Sequence, residues 1–209
     1  MIIVLFGKPT CGKGTISKML EKNGYFVLGG SDVLRENSRT KTAKYYNEAQ
    51  HALTTGILIS SELLNKMMTE KISTINNPNN IVVEGYPRKI KQAEHLLTLF
   101  PPEKIRAFYL EVSDEEVEER IINRLVCRDC SAPFSRKEPM QPKKEGVCDH
   151  CGGELYQRVD DTAETIKVRL NEFNVKTLPV LEYLKEHIDI INIPDLSSEE
   201  QYDFVLKNL

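Results

Sequence analysis

The sequence predicts an α/β fold with a doubly wound parallel sheet, and three observations carry that class. Short apolar runs alternate with amphipathic helical stretches along most of the 209 residues, the pattern of parallel strands joined by crossover helices. The first run, Met1–Phe6, leads directly into Gly7-Lys8-Pro9-Thr10-Cys11-Gly12-Lys13-Gly14-Thr15, which reads as buried strand, glycine-bounded loop and helix start. A proline- and glycine-rich stretch near residues 127–156 holds four cysteines but too little apolar material for a core of its own. It therefore reads as a small lobe added to the sheet domain.

In chain order, the helix after the loop spans Lys13 to Lys22 and ends at Asn23-Gly24. Tyr25–Leu28 is a second strand, broken by Gly29-Gly30-Ser31-Asp32, with a helix opening at Val33. From Thr40 to Leu64 the pattern is helical and polar, interrupted at Thr54-Thr55-Gly56, as in a helical lobe outside the sheet. Ser61 to Ile75 is amphipathic and stops at Asn76-Asn77-Pro78. Ile81–Val83 is a strand, Ile90–Phe100 a helix, and Ile105–Val112 the next strand. Ser113 caps the following helix in a capping box with Glu116, and that helix carries Val117, Ile121, Ile122 and Leu125 into the cysteine segment. Asp161 then caps a helix with Ile166, Leu170 and Phe173 on one face. Leu178–Leu184 is helical, Ile188–Ile193 a last strand, and Glu199–Leu209 the closing helix.

Composition narrows the function. A net charge of -3 with 28% charged residues gives no basic surplus for a nucleic acid partner. No apolar run approaches the roughly 20 residues of a membrane helix, so no membrane partner is expected. The opening hexapeptide is too short for a secretion signal and lacks a basic start. The expected setting is cytoplasmic, and a monomer is the default because no spare apolar stripe stands out.

The chemistry begins in the first loop. Gly7-x4-Gly12-Lys13 is the spacing of a phosphate-binding P-loop. Glycines let several backbone N–H groups turn onto one point, the following helix adds its positive end, and Lys13 can reach outer phosphates. Gly14 takes the usual Ser/Thr position, with Thr15 one place later. Cys11 reads as a small residue that fits the loop, although a thiol beside a helix N-terminus could also be reactive.

Polar residues at the other strand ends complete the pattern. Asp32 and Arg35 follow the second strand, while Glu84, Arg88 and Gln92 follow the third. Arg124 precedes the cysteine segment, and Arg158 and Arg169 follow it. Phosphoryl transfer needs alignment and positive charge more than covalent help, and arginine forks suit phosphate oxygens. Asp32 and Glu84 could hold water ligands of Mg²⁺. Taken singly, each arginine is an ordinary surface residue and Asp160-Asp161 no more than a helix start; the weight lies in the set.

Cys127, Cys130, Cys148 and Cys151 form Cys-x2-Cys-x17-Cys-x2-Cys, a zinc-site spacing. Two disulfides are the alternative, less suited to a reducing compartment. Four thiolates leave no open position, so the zinc reads as structural. His150 could compete as a ligand.

With these motifs in view, the chain resembles the adenylate kinases of the bacterial long-lid, zinc-containing type over nearly its whole length. Its first loop is similar to the family's G-x-P-G-x-G-K-G-T. Glu84-Gly85-Tyr86-Pro87-Arg88-Lys89-Ile90-Lys91-Gln92-Ala93 is similar to D-G-[FY]-P-R-x-x-x-Q-A, and the segment from Gly146 to Asp161 is similar throughout. The resemblance implies the reaction MgATP + AMP ⇌ 2 ADP, with structural Zn²⁺ and with Mg²⁺ accompanying ATP. It implies a core of 1–29, 60–124 and 162–209, a monophosphate-binding lobe of 30–59 and a zinc lid of 125–161. ATP would lie on Gly7, Pro9, Thr10, Cys11, Gly12, Lys13, Gly14 and Thr15, with Arg124 along its base. AMP would lie against Gly30, Ser31, Gly56, Ile57, Leu58, Ile59 and Gly85, its phosphate on Arg35 and Arg88 and its adenine edge read by Gln92. Arg158 and Arg169 would bridge both nucleotides' phosphates. A kinase for another nucleoside monophosphate, or a catalytically weakened nucleotide-binding module, are the alternatives.

The chain also departs from the family's pattern. Glu84 replaces Asp, Gly30-Ser31-Asp32 replaces Thr-Gly-Asp, and Ile193-Pro194-Asp195-Leu196 replaces the segment that carries V-D-G. Arg124-Leu125-Val126-Cys127 is shorter than R-[LI]-x-G-R-R-x-C. A lid arginine is therefore expected to be missing, with Arg128 the nearest substitute.

Overall fold

A computed structural model describes residues 1–55, 57–75 and 80–209. The predicted breaks at Gly56 and at Asn76-Asn77-Pro78 fall on or run into the residues outside that set. Five parallel strands form the main sheet: β1 (Ile2–Gly7), β2 (Phe26–Gly29), β3 (Ile81–Glu84), β4 (Ile105–Leu110) and, after three strands of a second sheet, β8 (Ile190–Ile193). Their order is β2-β3-β1-β4-β8, all pairs parallel, with Ile2 in register with both Ile81 and Ile105. β1 is thus central and the chain winds away from it in both directions. A ligand crevice is expected outside the carboxyl ends of strands at such a switch point.

Alternation along β1 divides the core. Ile2, Val4 and Phe6 face α4 (Ser61–Ser73), α5 (Ile90–Leu99) and α8 (Leu178–Lys185), where Met67, Leu96 and Leu184 pack against them. Ile3 and Leu5 face α1 (Lys13–Lys22), α6 (Asp114–Asn123), α7 (Ala163–Glu172) and α9 (Ser198–Lys207), meeting Ile16, Val117, Ile166 and Val205. Burial on both faces explains why the strands read as continuous apolar runs instead of alternating ones. Among the described residues, no helix is long and apolar enough to cross a membrane.

Apart from shifts of one or two residues at strand and helix ends, several boundaries differ from the sequence reading. α2 (Gly30–Ser38) begins three residues early, because Gly30 packs where a Cβ would lie 2.7 Å from the Gly85 carbonyl and the turn needs no further residues. α3 spans Tyr46–Thr55, so the first part of the polar segment is turn. α6 ends at Asn123; Leu125 instead pairs with Phe134 in a strand, and Ile122 is 57% exposed. The cap of α7 is Thr162, whose hydroxyl accepts from the Thr165 amide, since the Asp161 carboxylate is engaged elsewhere. Ser113 does cap α6, but the Glu116 carboxylate pairs with Arg120; the reciprocal box forms at Ser197 and Glu200. A π-helical turn, Phe173–Thr177, joins α7 to α8.

The added lobe is an antiparallel sheet in the order β6-β5-β7, with β5 Arg124–Cys127, β6 Pro133–Ser135 and β7 Leu155–Tyr156. Its apolar centre is Phe134, Ala132, Leu155 and two of the cysteines, with Leu125 alongside.

Candidate active site

The carboxyl ends of β1, β2 and β3 open into a cleft of about 1140 Å³. The loop after β1 forms its floor. Gly7 has φ 147°, and a Cβ there would lie 2.5 Å from Cys11 Sγ and 2.8 Å from the Leu110 carbonyl, so the turn requires glycine. Lys13 Nζ donates to the carbonyls of Gly7 (2.7 Å) and Lys8 (2.8 Å) and lies 3.1 Å from Cys11 Sγ. The loop thus curls round its own lysine. Cys11 is 1% exposed and serves as packing inside that curl.

On the β2 and β3 side, Arg35 Nη1 donates to Asp32 Oδ1 at 2.6 Å. Glu84 Oε2 accepts from the Ser17 hydroxyl at 2.9 Å. Burial pushes the Glu84 carboxyl up against that bond, and Asp32 adds to the effect, so a cation there would be welcome. Arg88 Nε donates to the Gly85 carbonyl at 3.0 Å, while its backbone amide donates to Gln92 Oε1 at 2.7 Å. Burial draws Arg88 down to about 10, helped by Arg169 and Arg35 and opposed by Glu84. Arg35 is lowered as well, by burial and then by Arg158.

The third group comes from the lid and α7. Arg158 Nε donates to Asp160 Oδ1 at 2.9 Å, and its Nη2 bonds the other oxygen. Arg169 Nη2 shares that second oxygen. Arg124 forms a two-pronged pair with Asp161, Nε to Oδ2 at 2.8 Å, and Arg169 Nη1 lies 3.9 Å from Asp161 Oδ1. Burial would raise the Asp160 carboxyl, but Arg158 and Arg169 hold it down at about 2. The cleft therefore gathers guanidinium groups from three separate stretches of chain opposite a phosphate-type loop.

A family model for adenylate kinase matches residues 5–189. The chain belongs to the adenylate kinase family. It is 36% identical to an adenylate kinase of Caldicellulosiruptor bescii over 189 residues, 88% of this chain and 87% of that one. Against an adenylate kinase of Streptomyces avermitilis identity is 35% over 205 residues, covering 96% and 93%. One from Mycoplasma mycoides is 32% identical over 209 residues, covering 97% and 96%. The activity is that of a nucleoside monophosphate kinase handling ATP, AMP and ADP, a family that uses Mg²⁺ with ATP.

Against that identity, the cleft brings together every predicted nucleotide-site residue except Gly56, which lies outside the described residues. Two expectations about the added lobe can be set against the geometry. Arg124 is the first residue of β5 and pairs with Asp161, which also lies 3.9 Å from Arg169. Arg128 does not stand in for the lid arginine expected to be missing: Arg128 Nε donates to Glu154 at 2.8 Å, its guanidinium lies 4.4 Å from the Tyr156 ring, and it faces the lid exterior.

Three residues escaped the sequence reading. Asp160 and Asp161, taken as a helix start, anchor three arginines. Two adjacent acids flanked by Arg158 and Arg169 were the available signal. Arg120, on α6, donates from Nη1 to the Thr10 carbonyl of the first loop at 3.3 Å and contacts Glu116 and Asp195. A single arginine on an acidic helix face carries no signal before folding.

The four lid thiols suit a metal. Cys127, Cys130, Cys148 and Cys151 have all Sγ atoms within 4.8 Å of one another, with Cys127–Cys151 at 3.5 Å and Cys130–Cys148 at 3.6 Å. A tetrahedral zinc–thiolate site has S···S edges of about 3.8 Å, given Zn–S bonds of about 2.3 Å. The Cys130 amide helps bring the Cys127 thiol down to about 7. At Cys151 the Gly153 amide acts in the same sense, yet crowding by Cys127 and Cys130 pushes it up to about 12. Four thiolates this close need a cation between them. His150 is not in the set; its ring lies 5.7 Å from that of Phe134.

Proposed function

We propose that the chain catalyses MgATP + AMP ⇌ 2 ADP by direct in-line transfer across this cleft. An AMP phosphate oxygen attacks the γ-phosphorus, a new P–O bond forms, and the bond to the β–γ bridging oxygen breaks, releasing ADP. No protein nucleophile takes part. The protein supplies alignment and positive charge. On the ATP side, Gly7, Pro9, Thr10, Cys11, Gly12, Gly14 and Thr15 cradle the phosphates, and Lys13 exchanges its loop carbonyls for phosphate oxygens. Asp32 and Glu84 would be the residues holding the Mg²⁺ that arrives with ATP, through its water ligands. Arg35 and Arg88 hold the AMP phosphate, Arg158 and Arg169 span both nucleotides, and Arg124 joins them from the lid. Arg120, next to the first loop, is better placed than Arg124 to lie along the ATP base.

Gln92 supports AMP as the acceptor. Its Oε1 is committed to the Arg88 amide, so its NH₂ is the group left for a base. Adenine N1 accepts a hydrogen bond, whereas guanine N1 carries a proton. Gly30, Ser31, Gly85 and the stretch Gly56, Ile57, Leu58, Ile59 complete the AMP side.

In this reading 30–59 and 125–161 are mobile parts on a core of 1–29, 60–124 and 162–209, and their closure excludes water as a competing acceptor. The cysteines hold structural Zn²⁺, which supports a reducing cytoplasmic setting. A monomer is proposed as the default, because no spare apolar stripe stands out in the sequence, and is checked by light scattering.

The observation that carries the proposal is the convergence of Arg35, Arg88, Arg158 and Arg169 on the Lys13 loop. A coupled assay across AMP, GMP, CMP and UMP tests it, with AMP expected to dominate. Arg88→Lys should lower turnover about 100-fold or more with folding intact, because a point charge does not reproduce the guanidinium fork. Near-normal turnover would remove Arg88 from the reaction.

A further inference from the structure

Residues 57–59 form cleft wall between α3 and α4 and belong to no helix or strand. Their backbone is held by charged side chains from elsewhere. Lys89 Nζ donates to the Ile59 carbonyl at 2.7 Å and to the Leu58 carbonyl at 3.2 Å. Glu172 Oε2 accepts from the Leu58 amide at 3.3 Å. Lys176 Nζ fixes Glu172 in turn, at 2.5 and 2.7 Å from its two oxygens.

The origin of these side chains ties the wall to the reacting groups. Lys89 directly follows Arg88, whose amide is in turn bonded to Gln92. Glu172 lies three residues after Arg169, about one turn along α7. Burial lowers Lys89, Lys176 lowers it further and Glu172 opposes, as fits an ammonium taken out of water and committed to carbonyls. Lys89 itself does not line the cleft.

We propose that Lys89, braced by Glu172, is a positioning residue for the acceptor nucleotide. It fixes the Leu58–Ile59 backbone as the surface on which the monophosphate's base rests, so losing it weakens acceptor binding and leaves ATP binding untouched. This rests on the assignment of 57–59 to the AMP side made above.

The test is steady-state kinetics and thermal melting of full-length Lys89→Met, Lys89→Arg and Gln92→Ala. Hydrogen bonds from a charged donor support an expected rise in KM for AMP of about tenfold in Lys89→Met. kcat and KM for ATP should stay within about twofold, the signature of lost ground-state binding of one substrate. Lys89→Arg, which keeps a cationic donor, should recover most of the AMP affinity. If Lys89→Met leaves KM for AMP unchanged while Gln92→Ala raises it, the positioning role fails and the AMP-side assignment stands. If neither variant changes it, both fail. Equal losses for ATP and AMP with a lowered Tm in both Lys89 variants would reduce Lys89 to a structural residue and overturn the proposal.

Discussion

Asp160→Asn removes one negative charge from between two guanidinium groups while preserving shape. In the wild-type protein the Asp160 carboxyl is buried, which opposes ionisation, yet its bonds to Arg158 and Arg169 hold it at about 2 against an ordinary 3.8. At about 1.4 kcal/mol per pH unit that fall corresponds to about 2 kcal/mol of folding stability. The site is open to the cleft on one side, so screening reduces the expected figure to about 1–2 kcal/mol. The sign follows from linkage. A carboxylate depressed by folding contributes its stability above pH 3.8 and loses it as pH falls toward 2. Urea unfolding of wild-type and Asp160→Asn proteins from pH 2 to pH 7 should therefore show a gap that is full near neutrality and closes between pH 4 and 2. Activity should fall as well, by about 100-fold at the upper end, because both arginines lose their aim. A gap that stays constant down to pH 2, or full activity in the variant, would refute the idea that Asp160 works as a charged anchor.

Three further outcomes are expected. Removing zinc with a chelator, or replacing Cys151 by Ser, should lower the melting temperature and raise amide exchange between residues 125 and 161, because the lid's small apolar centre does not fold unaided; identical melting would show that the thiols hold no structural metal. Lys18 Nζ bonds the carbonyls of Cys130 and Ser131, tying α1 to the first knuckle, so Lys18→Met should raise KM for ATP by about two- to tenfold, with unchanged KM counting against such a tie. Arg88→Met should abolish turnover yet leave the nucleotide-free protein at least as stable in urea unfolding, since a half-buried cation crowded by Arg169 and Arg35 is lost; a variant less stable than wild type would contradict this.

Much of the fold was legible in the sequence because its signals are local. Met1–Phe6 is apolar without alternation since β1 is buried on both faces, and Gly7, Gly12 and Lys13 announce the loop by spacing alone. The cysteine knuckles were equally plain. The junctions that misled the reading are those that tertiary contacts decide. Leu125 has the right period to extend α6, yet pairing with Phe134 recruits it into β5. Asp161 is an ordinary helix-cap type, yet Arg124, 37 residues earlier in the chain, claims its carboxylate and leaves Thr162 to cap. Among site residues, the arginines were found as a set with Asp32 and Glu84, whereas the roles of Asp160, Asp161 and Lys89 were not. Arg124 and Arg169 reach these acids from distant positions, and no spacing rule links Lys89 to Leu58.

The pattern of partners in the cleft separates holding from waiting. Arg124, Arg158 and Arg169 each have a carboxylate, and Arg35 has Asp32. Among the described residues, the Arg88 side chain bonds one backbone carbonyl; Arg169 and Arg35 repel it and Glu84 attracts it. Had stability alone been at stake, an aspartate beside Arg88 or an apolar residue in its place would serve better. On the proposed reaction an anion completes this half-buried cation, and a phosphate supplies the two oxygens its fork can accept. The carboxylates on its neighbours then have a second role. On the same proposal, they hold those guanidinium groups at the cleft wall against mutual repulsion before nucleotide arrives. Preorganisation of this kind spares the transition state the work of gathering charge, and part of the protein's stability is given up at Arg88 to provide it.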